Sequence, residues 1–221
     1  MSERDLPEEM PVFPLPDSVL FPGTTLPLLV FEPRYRQMVE DVLRFGRWIA
    51  VSLLKPGDEA ESEGSPNFHE IAGAGFLIRS NRLPDGRFQI ALDGRARVRL
   101  SEVPSERLYR MVRAVPEPED PTWLLGDECA ETLREIQTLA GSLRLMKAEE
   151  AKRAIPGGAV RRAALVNHLA LAVMAEPRER QEMLAADFAR RSTLVLGKLR
   201  FSKELFRSLA RYPRPDDPEH N

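Results

Sequence analysis

Ser52-Leu53-Leu54-Lys55 has the spacing of an S-x-x-K pair, in which a lysine amine takes the proton of a serine nucleophile. That chemistry needs both side chains on one face of a helix. The residues around Ser52 alternate as a strand does, and on a strand a spacing of three points the two in opposite directions. No S-D-N or K-T-G companion accompanies it. Gly73-Ala74-Gly75 begins a G-x-G turn, but Ile78 stands where a third glycine belongs and no helical pattern follows. Those glycines read instead as a bulge or a close strand approach. There is no Walker A motif and no H-E-x-x-H. His69 lies beside a strand, His168 inside an apolar helical run as a hydrogen-bonded core residue, and His220 near the end of the sequence. Cys129 is the one cysteine, which excludes an internal disulfide and a cysteine-based zinc cluster. These residues lead us to expect no catalytic residues, no metal and no cofactor.

Two other groupings could bind rather than react. Arg95, Arg97 and Arg99 alternate with Ala96, Val98 and Leu100, so three guanidinium groups line one face of a strand. Either they pair with nearby acids on a solvated face, or they contact an acidic partner or a phosphate backbone. No aromatic residues interleave with them, which weakens a nucleic-acid reading. Phe13, Leu20, Phe21, Leu26, Phe31 and Tyr35 crowd a proline-rich beginning. Most belong to a core, yet proline cannot complete a ladder, so such a segment leaves an edge or groove open to an extended peptide. Phe21 and Phe31 are the candidate anchors there, with Arg34 as polar orienter and Tyr35 beside it.

The elements that hold these residues fall into two grammars. Strand-like runs occur at 12–15, 24–31, 47–54, 71–79, 88–93, 96–103 and 109–115. The Pro84-Asp85-Gly86 turn makes a hairpin of the runs at 71–79 and 88–93. Pro33 opens a helix whose Tyr35, Met38, Val39, Val42 and Leu43 keep one buried face. After Pro116, Pro118 and Pro121 the pattern becomes helical. One stripe runs through Leu125, Cys129, Leu133, Ile136, Ala140 and Leu143. Helices are then expected from about Gly158 to Met174, after Glu176-Pro177, and along a face carrying Val195, Leu199, Ser202, Phe206 and Leu209. Asp187 and Ser192 are the candidate N-caps of the last. The division expected is a β-rich unit over 1–118, a helical bundle over 119–212 and a polar tail over 213–221. The loop at 55–68 reads as acidic and mobile. The chain has 221 residues, a net charge of -2 and 43% hydrophobic residues, those of a globular protein without the basic excess that nucleic acid or an anionic membrane would favour. The uncharged runs at 18–31 and 163–175 are broken or too short to span a membrane.

The sequence resembles the Lon protease N-terminal (substrate-binding) domain family. The resemblance rests on Val12-Phe13-Pro14-Leu15-Pro16-Asp17-Ser18-Val19-Leu20-Phe21-Pro22-Gly23, on Leu26-Pro27-Leu28, and on Phe31-Glu32-Pro33-Arg34-Tyr35-Arg36-Gln37-Met38-Val39. Weaker echoes follow at 73–76, at Leu83-Pro84-Asp85-Gly86-Arg87, at Asp93-Gly94-Arg95-Ala96-Arg97, and at Glu179-Arg180-Gln181-Glu182-Met183-Leu184. The resemblance extends over about 11–210. It implies an α+β protein, a six-stranded PUA-like pseudo-barrel with one helix followed by a helical bundle. It implies a turn at Gly23, a helix start at Pro33, and Glu32 and Arg34 holding that helix to the barrel. The chain is expected to stop before the ATPase and protease parts of Lon, so substrate recognition is implied and ATP hydrolysis or proteolysis is not. The function expected is a non-enzymatic, cytoplasmic module for unfolded or extended polypeptide or a partner protein. The alternative is a nucleic-acid-binding PUA-like domain using Arg95, Arg97 and Arg99.

Overall fold

The computed structural model describes residues 6–57, 67–147, 152 and 158–209. The tail at 213–221, His220 and most of the acidic loop lie outside them. Six strands come first: β1 (Glu9–Leu15), β2 (Thr25–Val30), β3 (Trp48–Leu53), β4 (Ile71–Arg82), β5 (Phe88–Val103) and β6 (Met111–Pro116), with helix α1 (Pro33–Phe45) between β2 and β3. Five helices follow: α2 (Pro121–Leu125), α3 (Asp127–Ser142), α4 (Ala159–Val173), α5 (Pro177–Ala185) and α6 (Phe188–Leu209). The architecture is α+β, as the sequence suggested.

The strand order is β2-β5-β4-β3-β1-β6, and β6 also pairs with β5, so five strands close on themselves. β1 and β3 run parallel and the other pairs antiparallel. Closure is possible because β5 is long enough to serve two neighbours. Its first half (88–93) pairs with β2, and its second half (98–103) pairs with β6. The sequence had suggested two runs here, interrupted at Asp93-Gly94-Arg95. The structure shows one strand with a bulge, because Gly75 pairs with Gly94 while Ala74 pairs with Ala96, leaving Arg95 as the extra residue. On either side of the bulge β5 serves a different apolar cluster. Phe88, Ile90 and Leu92 pack with α1, whereas Ala96, Val98 and Leu100 pack inside the closed strands.

The glycines of β4 and β5 make room for a crossing backbone. A Cβ on Gly73 would lie 2.0 Å from the Leu20 carbonyl oxygen, and one on Gly94 would lie 2.1 Å from that of Phe21. No side chain fits such a gap, so the 19–24 segment lies flat against the sheet. Gly23 then turns it with φ +79 and donates its N–H to the Gly94 carbonyl at 2.8 Å. From this position Val19 and Phe21 enter the apolar cluster of the helices, alongside Cys129, Leu133, Ile136, Val166 and Leu199.

Three helical details depart from the sequence reading. Leu125 leaves the stripe and is exposed, because Gly126 takes an extended conformation and separates α2 from α3. Phe206 and Leu209 are exposed too, since α6 runs past the bundle after Leu199. His168 is an exposed residue whose Nδ1 lies 2.8 Å from the Ala164 carbonyl oxygen. The buried polar residue of that helix is its neighbour Asn167. Asp187 caps α6, its carboxylate accepting the Arg190 N–H at 2.8 Å, while Ser192 is internal to the helix.

Candidate functional site

The structure distributes six of the seven singled-out residues over two regions. Arg95, Arg97 and Arg99 sit at the seam between barrel and helices. Phe31, Arg34 and Tyr35 sit at a rim where β2 passes into α1. Phe21 belongs to neither binding surface: it has 0% exposure and packs among the helices. Of the two anchors expected for a groove there, Phe21 is sealed away from it and Phe31 is the one left at the surface.

At the rim, Pro33 occupies the first turn of α1 and Glu32 precedes it in an extended conformation. Arg34 turns back to Glu32, with Nε 2.9 Å and Nη2 2.8 Å from Oε2. This pair is local and does not reach across to the barrel. The Arg34 guanidinium also stacks on the Tyr35 ring at 4.7 Å, and that ring packs on Phe13 at 4.4 Å. Burial pushes the Tyr35 phenol above its ordinary pKa, and the Arg34 charge opposes this. Arg34 and Tyr35 line a concavity of about 510 Å³, together with Pro14, Glu102, Leu108 and Arg110. Its far wall is fixed by charge: Arg110 makes a bidentate pair with Glu102 at 2.6 and 2.7 Å. Phe31 stands outside this concavity with 63% exposure, two residues beyond Leu29 at 45%. Two large apolar side chains at alternate positions are thus left in water where one strand ends.

The seam is built the opposite way. Arg97 donates to the Glu117, Leu184 and Ala186 carbonyl oxygens at 3.3, 3.3 and 2.6 Å, and lies 3.6 Å from the Glu119 carboxylate. Arg95 pairs with Asp93 at 2.7 Å, and Arg99 with Glu117 at 2.7 Å and Glu70 at 3.5 Å. Behind them Arg191, at 0% exposure, donates to the Met183 and Ala186 carbonyls, to Glu119 and to the Asn167 side chain at 2.8–3.0 Å. Burial lowers the Arg191 pKa, and Glu119 counters the shift. Asn167 in turn donates to the Pro22 carbonyl at 2.9 Å. Barrel, linker and three helices are joined by one polar network. Sequence reasoning missed Arg191 and Asn167. The signal was present, since Arg191 falls between Phe188 and Val195 on the buried stripe of α6.

Ser52 is buried, and its hydroxyl donates to the His69 carbonyl at 2.6 Å, which fixes it as part of the barrel wall. Cys129 is buried as well, and burial raises its thiol pKa. No group of three or more His, Cys, Asp or Glu with metal-binding placement occurs among the described residues.

A barrel whose arginines are engaged at its own seam, and which leaves Leu29 and Phe31 bare at the end of one strand, has the make-up of a binding domain. The chain belongs to the family of ATP-dependent protease La (LON) substrate-binding domains, whose model matches residues 9–199. It is 29% identical over 109 residues to a Lon protease of Flavobacterium johnsoniae, covering 49% of this chain and 13% of that one. It is 28% identical over 145 residues to Lon protease 2 of Syntrophobacter fumaroxidans, covering 66% and 17%. The chain thus spans less than a fifth of the length of these relatives. Among solved structures it resembles the N-terminal domain of the Mycobacterium avium complex Lon protease, with a TM-score of 0.67, 13% identity and coverage of 87% and 98%. It also resembles a Lon N-terminal domain protein from Xanthomonas campestris, with a TM-score of 0.57, 23% identity and coverage of 93% and 99%.

Proposed function

We propose that this domain is a non-catalytic module that takes hold of extended, apolar polypeptide at the β2–α1 rim. The observation that carries this reading is Phe31, 63% exposed beside the exposed Leu29 and three residues before Arg34. Large aromatic side chains are normally buried, and an exposed apolar strip beside a guanidinium suits an unfolded segment that offers apolar side chains and main-chain carbonyls. Membership of a substrate-binding family supports the same reading. Phe31 acts as anchor, Arg34 as polar orienter, and Tyr35 holds Arg34 in place by stacking. Phe21 contributes by packing the 19–24 segment rather than by contact with a ligand.

The rival, nucleic acid on Arg95, Arg97 and Arg99, has less support because Arg97, the middle of the three, is held under the helices with its donors on the Glu117, Leu184 and Ala186 carbonyls. No helix among the described residues is long and apolar enough to cross a membrane. A single buried thiol suits a reducing compartment such as the cytoplasm.

The test is binding of the full chain to reduced, carboxymethylated α-lactalbumin, an unfolded model polypeptide, measured over a range of salt concentrations. The reading predicts binding that changes little with salt, without ATP hydrolysis. Absence of binding overturns it, and a preference for single-stranded oligonucleotide with a steep loss of affinity in salt would favour the rival.

A further inference from the structure

β2 pairs with β5 on one side, and no strand among the described residues pairs with its other side. The phase of the ladder decides which backbone groups that open side presents. Thr25 lies opposite Asp93, Pro27 opposite Ala91 and Leu29 opposite Gln89. Gly94 donates its N–H to the Thr24 carbonyl at 2.8 Å, so the even-numbered residues of this strand point their backbone groups toward β5. Thr25, Pro27 and Leu29 therefore turn theirs outward. Pro27 fits this phase, since a proline facing β5 would delete a ladder bond. The open edge offers the N–H and C=O of Thr25, the C=O of Pro27, and the N–H and C=O of Leu29.

The side chains follow the same period. Leu26, Leu28 and Val30 pack against the cluster under α1, while Thr25, Pro27, Leu29 and Phe31 are exposed. Sheet edges are commonly guarded by charge, and residues 24–31 carry none. Charge matching along this strip thus favours an uncharged occupant, because an ion laid on it would find no counter-ion within the strand.

We propose that the captured polypeptide adds to the sheet as a further strand along the outer edge of β2, with uncharged, apolar side chains at alternate positions over Leu29 and Phe31. This rests on the reading of the domain as a polypeptide-binding module and specifies its mode. Main-chain hydrogen bonds to Thr25, Pro27 and Leu29 supply affinity that is indifferent to sequence, and the apolar strip selects unfolded over folded chains.

The experiment uses the full chain and a short fluorescein-labelled peptide of alternating valine and threonine, with α-lactalbumin as above for reference. Leu29→Pro removes an outward N–H at a position in phase with Pro27, so the β2–β5 ladder stays intact. Leu29→Ala removes the side chain and keeps the N–H. Strand addition predicts that Leu29→Pro weakens peptide binding about tenfold and Leu29→Ala by less, with both melting temperatures close to wild type. A peptide copy N-methylated at alternate residues is predicted to bind the wild-type chain about tenfold more weakly than its parent. This second arm decides the matter if Leu29→Pro lowers the melting temperature. Binding that survives both Leu29→Pro and N-methylation overturns strand addition and leaves polypeptide capture standing. Failure of the wild-type chain to bind either α-lactalbumin or the peptide overturns both.

Discussion

The barrel–bundle seam and the β2–α1 rim use similar residue types to opposite ends. At the seam, arginines are matched to carboxylates and carbonyls, glycines admit a crossing backbone, and Phe21 is sealed among helices. At the rim, Phe31 and Leu29 are in water, and the outer edge of β2 has no strand paired to it among the described residues. The seam satisfies most of its polar groups internally, leaving Arg95 Nε and Glu119 Oε2 without a hydrogen bond beside a concavity of about 560 Å³. The rim retains unmet apolar surface and unmet backbone groups, and so it is where binding is to be sought.

The contrast breaks most readily at the seam. Replacing Arg191 by Ala removes the donor to the Met183 carbonyl and Asn167 Oδ1 and leaves Glu119 with Arg97 at 3.6 Å as its cation, and is expected to cost about 3–5 kcal/mol in chemical denaturation. Phe21→Ala should fall in the same range, about 3–5 kcal/mol, through the cavity it leaves. Gly94→Ala forces a Cβ onto the Phe21 carbonyl and should cost about 3 kcal/mol, near the upper end of overpacking effects. If any of these leaves stability unchanged, the seam is not the closely packed, internally paired region described.

The rim should respond in the other currency. Phe31→Ala is expected to alter stability by less than about 0.5 kcal/mol, as surface changes do, yet weaken α-lactalbumin binding by about 2 kcal/mol. Equal losses in both measurements would make Phe31 a packing residue. The smallest effect concerns the tie between α1 and the segment just before β6. Tyr109 donates to Asp41 at 2.7 Å, and burial with that bond raises its phenol pKa to about 12. Because the folded value lies above the unfolded value of about 10, the contribution is present below about pH 10. It is lost as pH rises toward 12. Phenolate absorbance during an alkaline titration should show this tyrosine ionising late in the folded chain.

Much of the fold was legible because its signals are local. The Pro33 helix start, the Pro84-Asp85-Gly86 reversal and the proline cluster at 116–121 each act within a few residues. The single strand β5 was not legible, because Gly94 looks like a break unless the backbone of Phe21 is known to lie against it. The same holds for the binding candidates. Alternation placed Arg95, Arg97 and Arg99 on one face, but whether that face meets solvent depends on helices nearly 90 residues further along the chain, where Arg97 finds Ala186. Phe21 and Phe31 look alike in sequence. The one is buried because its segment lies on a glycine floor, and the other is exposed because α1 turns the chain away immediately after it.

Hydrogen–deuterium exchange of the full chain, with and without saturating carboxymethylated α-lactalbumin, tests the central claim most directly. The account predicts new protection confined to peptides covering 24–36, with those covering 93–99 and 188–199 unchanged. Protection centred on 93–99, with 24–36 exchanging as before, would contradict it.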